Sequence, residues 1–407
     1  MRLLFKRNVI FGYIIAWSII GFPLLALVTT ALGVPTTILS IIFRTFAALG
    51  ALFLTFLKVQ PTNRAVTFLF LAFWVVYFSR LTFTTAFDPS SLTRPLSYYW
   101  IWSFGTCFLP ALSIVLTFEP EVKDRLGFPL LLLVVIALFL AVVFGGTSVR
   151  GGGDSIVEIG RLNIDSLNPI SMGHLGVTGV LIGICAFLSG QLRSSMLPLA
   201  IIAMLFGGAT TILANSRGPL LAMAACLAIL IFAGVRRRRT YAFGVLFVVL
   251  LVLIAVNQQE AIYGGDGVLW RFQAYFLGVD QSSNLRVIAF EGAVTQFLES
   301  PIWGDAIEER ITGFYPHNVV LEAFMATGIA GGVPFTVLLL GTIGRAWVLV
   351  RQGSKQMWIG ILAVQYITAG LFSGAIYSSN TMWVLVALTL SLPLNHPNIL
   401  QTPTRRI

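Results

Sequence analysis

The sequence predicts an all-α integral membrane protein: about twelve transmembrane helices, both termini cytoplasmic, and one large periplasmic loop with short helices. Three observations lead there. The 407 residues are 57% hydrophobic and only 10% charged. A soluble domain carries roughly 25% charged residues and needs them to cover a water-facing surface. Apolar runs of spanning length, roughly 17–25 residues, recur along the chain. Basic residues then collect in alternate connections, as cytoplasmic loops require.

The chain opens on a basic segment, Met1–Arg7. The apolar stretch from Val9 is too long for a signal-peptide core and has no small-residue cleavage site, so it reads as the first span, 9–32. Spans follow at 34–57, 65–84, 98–118, 128–146, 169–189, 197–213, 219–234, 241–256, 329–350, 357–375 and 381–394. The seventh, eighth, ninth and twelfth are short. Pro23 and Pro110 fall inside spans and are expected to kink them, which bundle packing tolerates.

Charge tests this count. With the N-terminus inside, all four lysines (Lys6, Lys58, Lys123 and Lys355) and the run Arg236–Arg239 fall on the inside. Losing one span would throw that run onto the side of the long loop after it. Every basic residue assigned outside is arginine: Arg80, Arg94, Arg150, Arg161, Arg217, Arg271, Arg286 and Arg310. Arginine forms planar, bidentate hydrogen bonds to phosphate and keeps its charge when desolvated. The chain also favours arginine overall, so the asymmetry has a compositional reading too. The organisation is therefore residues 1–256, spans one to nine; 257–328, the large periplasmic loop; and 329–407, spans ten to twelve with a cytoplasmic tail.

Cys107, Cys185 and Cys226 lie in apolar stretches and read as small core residues. His174, His317 and His396 are too far apart for an i,i+4 ligand pair, and no metal site is expected. There is no phosphate-cradling glycine loop and no acidic pair to hold a metal-bound nucleotide sugar. No cofactor, nucleotide or nucleic acid is expected as a partner, and a substrate would arrive already activated.

Several constellations could carry chemistry. In Ala214–Leu221, Arg217 stands between two apolar spans at a helix start. It is either a snorkelling anchor or an anion ligand helped by free N–H groups. In Tyr315–Gly332, His317 precedes a helix that Asn318 can cap and whose first turn holds Glu322. His317 is expected to be exposed, with an imidazole near its ordinary pKa, suited to taking a proton from a sugar hydroxyl or else a plain surface residue. Arg286 shares a helical face with Phe290 and Ala293. It either reaches the membrane surface site or pairs with headgroups. Arg150 and Arg161 are secondary candidates in the other long outer loop. Arg44, near mid-span, is either a functional cation or bound to backbone carbonyls. His174 is expected to be a satisfied core histidine. Arg80, Arg94, Arg271 and Arg310 are left as surface or headgroup contacts.

Two patterns resemble the O-antigen ligase and polymerase superfamily of bacterial membrane glycosyltransferases, most strongly over residues 200–335. One is Arg217 followed by Leu221. The other is His317–Asn318 with Gly328 and Gly331, preceded by Pro301, Gly304 and Arg286. The resemblance implies a metal-independent transfer at the periplasmic face of the inner membrane. The donor would be a glycan on undecaprenyl diphosphate, and the acceptor a second glycan or lipid A-core. Arg217 and Arg286 would hold the diphosphate, and His317 would activate the acceptor hydroxyl. The motifs favour the ligase form. A polymerase joining lipid-linked repeat units is the alternative, and a transporter or flippase for such a lipid is a further one.

Overall fold

The computed structural model describes residues 11–57, 63–117, 123–147, 162–164, 166–189, 196–234 and 281–393. Its helices are α1 (Phe11–Leu32), α2 (Thr36–Leu57), α3 (Arg64–Phe87), α4 (Leu96–Thr117), α5 (Lys123–Phe144), α6 (Pro169–Ser189), α7 (Leu197–Leu213), α8 (Arg217–Ala233), α9 (Gln281–Glu299), α10 (Val319–Arg351), α11 (Met357–Ser373) and α12 (Asn380–Ser391). Six of them, α1, α2, α3, α4, α6 and α10, are long and apolar enough to cross a membrane. Shorter apolar helices fill α5, α7, α8, α11 and α12. The chain is an all-α membrane protein over these residues, apart from a two-residue hairpin pairing β1 (Gly146–Thr147) with β2 (Leu162–Asn163).

The helices divide their faces between protein and lipid. On α2, Ser40, Arg44, Ala47, Ala51 and Leu54 recur at helical spacing and turn inward. Ile42, Phe46, Phe53 and Phe56 point out, Phe56 being 81% exposed. Large apolar side chains stay on an outer surface only where that surface meets hydrocarbon. The inner face of α3 supplies Phe70, Phe73, Trp74 and Tyr77, all buried. Phe73 lies 5.0 Å from Phe335 of α10, and Trp74 lies 4.8 Å from Trp383 of α12. Between α6 and α7, Gly176 and Gly207 leave no room for a Cβ, so the backbones touch, as small residues allow in membrane bundles.

Both prolines expected to kink spans stand just after widened turns. A π-helical stretch, Trp17–Gly21, stands ahead of Pro23, and another, Ile101–Phe108, ends ahead of Pro110. Proline has no N–H and its ring crowds the carbonyl four residues back, so the preceding turn opens.

The connections at one end of the bundle gather together. Thr36 meets Ser166 (3.3 Å), Asp88 meets Arg310 (3.1 Å), Thr93 meets Glu308 (3.1 Å), and Glu322 receives the Ile376 N–H (3.0 Å). Gly173, near the start of α6, abuts Ala214 and Pro219 at the start of α8. These are the connections that the basic-residue pattern assigns to one side of the membrane.

The predicted start of span ten at 329 needs correction. The helix begins ten residues earlier, at Val319, and Gly328 breaks it with φ 58° and ψ −158°. The predicted boundary marks this kink. The apolar pattern on either side continues the helix because the break is filled by another segment, described below. The predicted ninth span (241–256) lies outside the described residues, as do Arg150, Arg161 and Arg271.

Candidate active site

Helix α9 and the segment 300–318 build the site. Pro301–Gly304 runs into the break in α10. There the Asp305 N–H donates to the Met325 carbonyl (2.9 Å), and the Ile329 and Ala330 N–H groups donate to the carbonyls of Pro301 (2.8 Å) and Ile302 (3.2 Å). The break thus exchanges intrahelical bonds for bonds to the inserted turn. Gly304 (φ 72°) and Gly328 (φ 58°) sit where the two backbones touch, and a Cβ on either would enter the other's main chain. The separated motif residues Pro301, Gly304 and Gly328 are therefore one feature in space.

Arginines lock this turn. Arg80 of α3 donates to the carbonyls of Asp305 (2.9 Å), Trp303 (2.9 Å) and Gly304. Arg310 pairs with Asp305 (2.6 Å) and Asp88 (3.1 Å), and holds the Asp305 carboxyl below its ordinary value. Arg80 is thus more than the surface or headgroup contact expected from sequence, whereas Arg310 is a surface residue, its side chain 46% exposed. The Arg80 carbonyls and the Asp88 partner of Arg310 are distant in the chain, which no residue pattern signals. From α9, Gln296 donates to Asp305 (3.0 Å) and accepts from the Arg310 N–H (2.9 Å), and Gly292 makes room for Glu309.

His317 stands at the end of this frame. It adopts φ 55°, an uncommon conformation for a non-glycine residue. Pro316 precedes it. The next residue, Asn318, caps α10 as expected, its side chain accepting from the N–H groups of Val320 (3.1 Å) and Leu321 (3.0 Å). The imidazole packs on Tyr315 with ring centroids 4.5 Å apart, and its Nδ1 is buried without a hydrogen bond among the described residues. Burial, then the positive charge of Arg286, push the imidazole down from 6.5 to about 4. The expected ordinary pKa is corrected on both counts, since the ring is half-buried and faces a cation. The ring is held neutral at physiological pH, so a lone pair is available, on a nitrogen less basic than an ordinary imidazole's.

The structure therefore brings Arg286 and His317 into one electrostatic neighbourhood. Arg217 is the first residue of α8, which packs against α6, α10 and α11. The turn before it is sharpened by Asn215 at φ 44°. The two non-glycine residues with positive φ among the described residues thus immediately precede α8 and α10, beside the two motif positions.

Beside His317 lies a cluster that sequence reasoning missed. Glu308 is buried and accepts hydrogen bonds from Tyr99, Thr93 (3.1 Å) and Tyr377 (3.3 Å). Burial raises its carboxyl pKa, partly countered by these bonds. Tyr377 in turn lies 6.0 Å from Tyr315. Glu322, a secondary candidate, is fully buried and accepts the Ile376 N–H with both oxygens (3.0 Å each), so it anchors the 376–378 turn. Arg44 lies apart from this cluster, its guanidinium 3.6 Å from the centre of the Trp102 ring.

Fold and site together define a polytopic helical membrane protein with a neutral histidine and an arginine held at one bundle end. Residues 202–336 match the protein family described as O-antigen ligase. The matched stretch contains Arg217, Arg286, Pro301, Gly304, His317, Gly328 and Gly331, so the similarity falls on the motif-bearing residues. No curated protein matches the chain.

Proposed function

We propose that the protein transfers a glycan from an undecaprenyl-diphosphate carrier to an acceptor sugar hydroxyl, as an O-antigen ligase does, at the periplasmic face of the inner membrane. The observation that carries this reading is that His317, held at φ 55° on Tyr315 with Nδ1 buried and unbonded among the described residues, lies within the family-matched stretch and feels the charge of Arg286. The acceptor oxygen attacks the anomeric carbon as the bond from that carbon to the carrier phosphate breaks. The hydroxyl proton passes to the neutral His317 imidazole, and the bonding electrons leave with the lipid diphosphate. Arg286 and Arg217 bind the departing charge, and the positive end of the α8 dipole adds to it. Negative charge arriving beside Arg286 also favours the protonated imidazole, so proton transfer and departure support each other.

Purified protein given undecaprenyl-diphosphate glycan and a lipid A-core acceptor should release lipid diphosphate and form the glycosylated acceptor. His317→Ala and Arg217→Lys should each lower the rate by about 10²–10⁴-fold, with expression intact. Turnover with a second lipid-linked unit alone would favour the polymerase form. Near-normal rates in His317→Ala would remove that residue from the chemistry.

A further inference from the structure

A cavity of about 400 Å³ lies behind Arg44. That size falls within the roughly 300–1,000 Å³ of small-molecule sites. Its walls come from both π-helical stretches and their prolines: Ser18 and Pro23 on α1, and Trp102 and Pro110 on α4. The widened turns before these prolines, a feature often found at functional sites, therefore face this space.

Two charged or polar side chains there make no hydrogen bond among the described residues. Arg44 makes no hydrogen bond or ion pair among the described residues. Its guanidinium face lies over Trp102, which leaves its N–H edge for a ligand. A cation inside an apolar helix of a membrane bundle is costly without a counter-charge. His174 is only 7% exposed, lines the cavity, and has two buried ring nitrogens, neither of them hydrogen-bonded among the described residues. One of those nitrogens always carries a proton, so a donor and an acceptor are both available. This overturns the expectation of a satisfied core histidine. The backbone carbonyl of His174 is bonded, to Thr178 (2.9 Å) and Gln365 (2.9 Å), so the helix is held while the ring is not.

The cavity leads to the site of transfer. A second cavity of about 290 Å³ shares His174, Asn168, Ser171, Tyr366 and Ser378 with the first and reaches Tyr315, the ring packed on His317. The shared wall alternates amide and hydroxyl groups with the Tyr366 ring. That mixture suits a pyranose, whose edges are hydroxyls and whose faces are C–H.

We infer that this paired cavity binds a sugar bearing a compact anionic group, a carboxylate or a phosphate, with the anion on Arg44, a hydroxyl on His174 and the far end towards His317. The inference rests on reading the protein as a glycan transferase, and assigns the cavity to an acidic residue of a participating glycan.

The test is equilibrium binding of labelled methyl glucuronide and methyl glucoside to the full-length protein in nanodiscs of zwitterionic lipid. Glucuronide should bind about tenfold or more tighter than glucoside. Arg44→Gln should erase that preference, Arg44→Lys should keep part of it, and His174→Gln should weaken both ligands about threefold. His317→Ala should leave binding unchanged, so loss of transfer and loss of this pocket are separable. Wild-type binding with the expected preference but no transfer to any acceptor would sink the transferase reading alone. Equal binding of the two sugars, or a preference surviving Arg44→Gln, would overturn the inference. So would loss of glucuronide binding when anionic phospholipid is added to the nanodisc, which would assign Arg44 to a lipid headgroup.

Discussion

The turn 300–314 and the Arg44 cavity are both polar regions at one end of an apolar bundle, yet they treat their charges in opposite ways. In the turn, Asp305, Glu308 and Glu309 all accept hydrogen bonds from within the protein, Arg80 has both terminal nitrogens on carbonyls with only its Nε unbonded among the described residues, and Arg310 donates to carboxylates. In the cavity wall, Arg44 has only ring contacts and His174 has two buried ring nitrogens without a hydrogen bond among the described residues. A satisfied network rigidifies, whereas an unsatisfied one marks where something else binds. His317 stands between the two, fixed on its backbone side and with a buried Nδ1 left unbonded. Its neighbours show the division that a transfer site needs: a stiff frame on one side and a receptive space on the other.

The comparison can be broken by weakening the frame in graded steps. Gly328→Ala and Gly304→Ala should have the largest effect. Each puts a Cβ into main chain at positive φ, costing more than about 3 kcal/mol and removing most folded protein from detergent extracts. Arg80→Ala frees three carbonyls and should cost about 2–3 kcal/mol, read as a lower melting temperature. Asn318→Ala should cost about 1 kcal/mol as a lost cap. Its transfer rate should fall further than its melting point suggests, because His317 is the adjacent residue. Arg310→Ala should cost below about 1 kcal/mol, since its side chain is 46% exposed and water screens its ion pairs. An Arg310 effect as large as that of Gly328 would mean the frame is held by surface charge and not by backbone insertion.

What the sequence discloses follows the range of each interaction. Helices appear at the predicted bounds 169–189 and 197–213, because hydropathy is a local property of the sequence. The Asn318 cap is equally local. The candidates Arg286 and His317 were legible through their motif, but the reason they need Pro301, Gly304 and Gly328 was not. That reason is a contact between segments more than twenty residues apart. His174 and Arg80 were misread for the same cause, since satisfaction is a property of three-dimensional neighbours. Glu308 carried no signal at all, because its hydroxyl partners come from residues 93, 99 and 377.

The central claim is that His317 acts as a neutral base beside Arg286. The pH dependence of kcat/KM for wild type and Arg286→Gln tests it most directly, since that ratio reports groups of the free enzyme. Burial and Arg286 depress the imidazole to about 4, so activity that needs the neutral ring should persist well below pH 6.5 and fall only as the pH nears about 4. Removing the Arg286 charge relieves one of the two depressing causes, so the acid limb should move to higher pH, along with a lower overall rate. An acid limb already near pH 6.5 in the wild type, or one that Arg286→Gln leaves in place, would contradict the account.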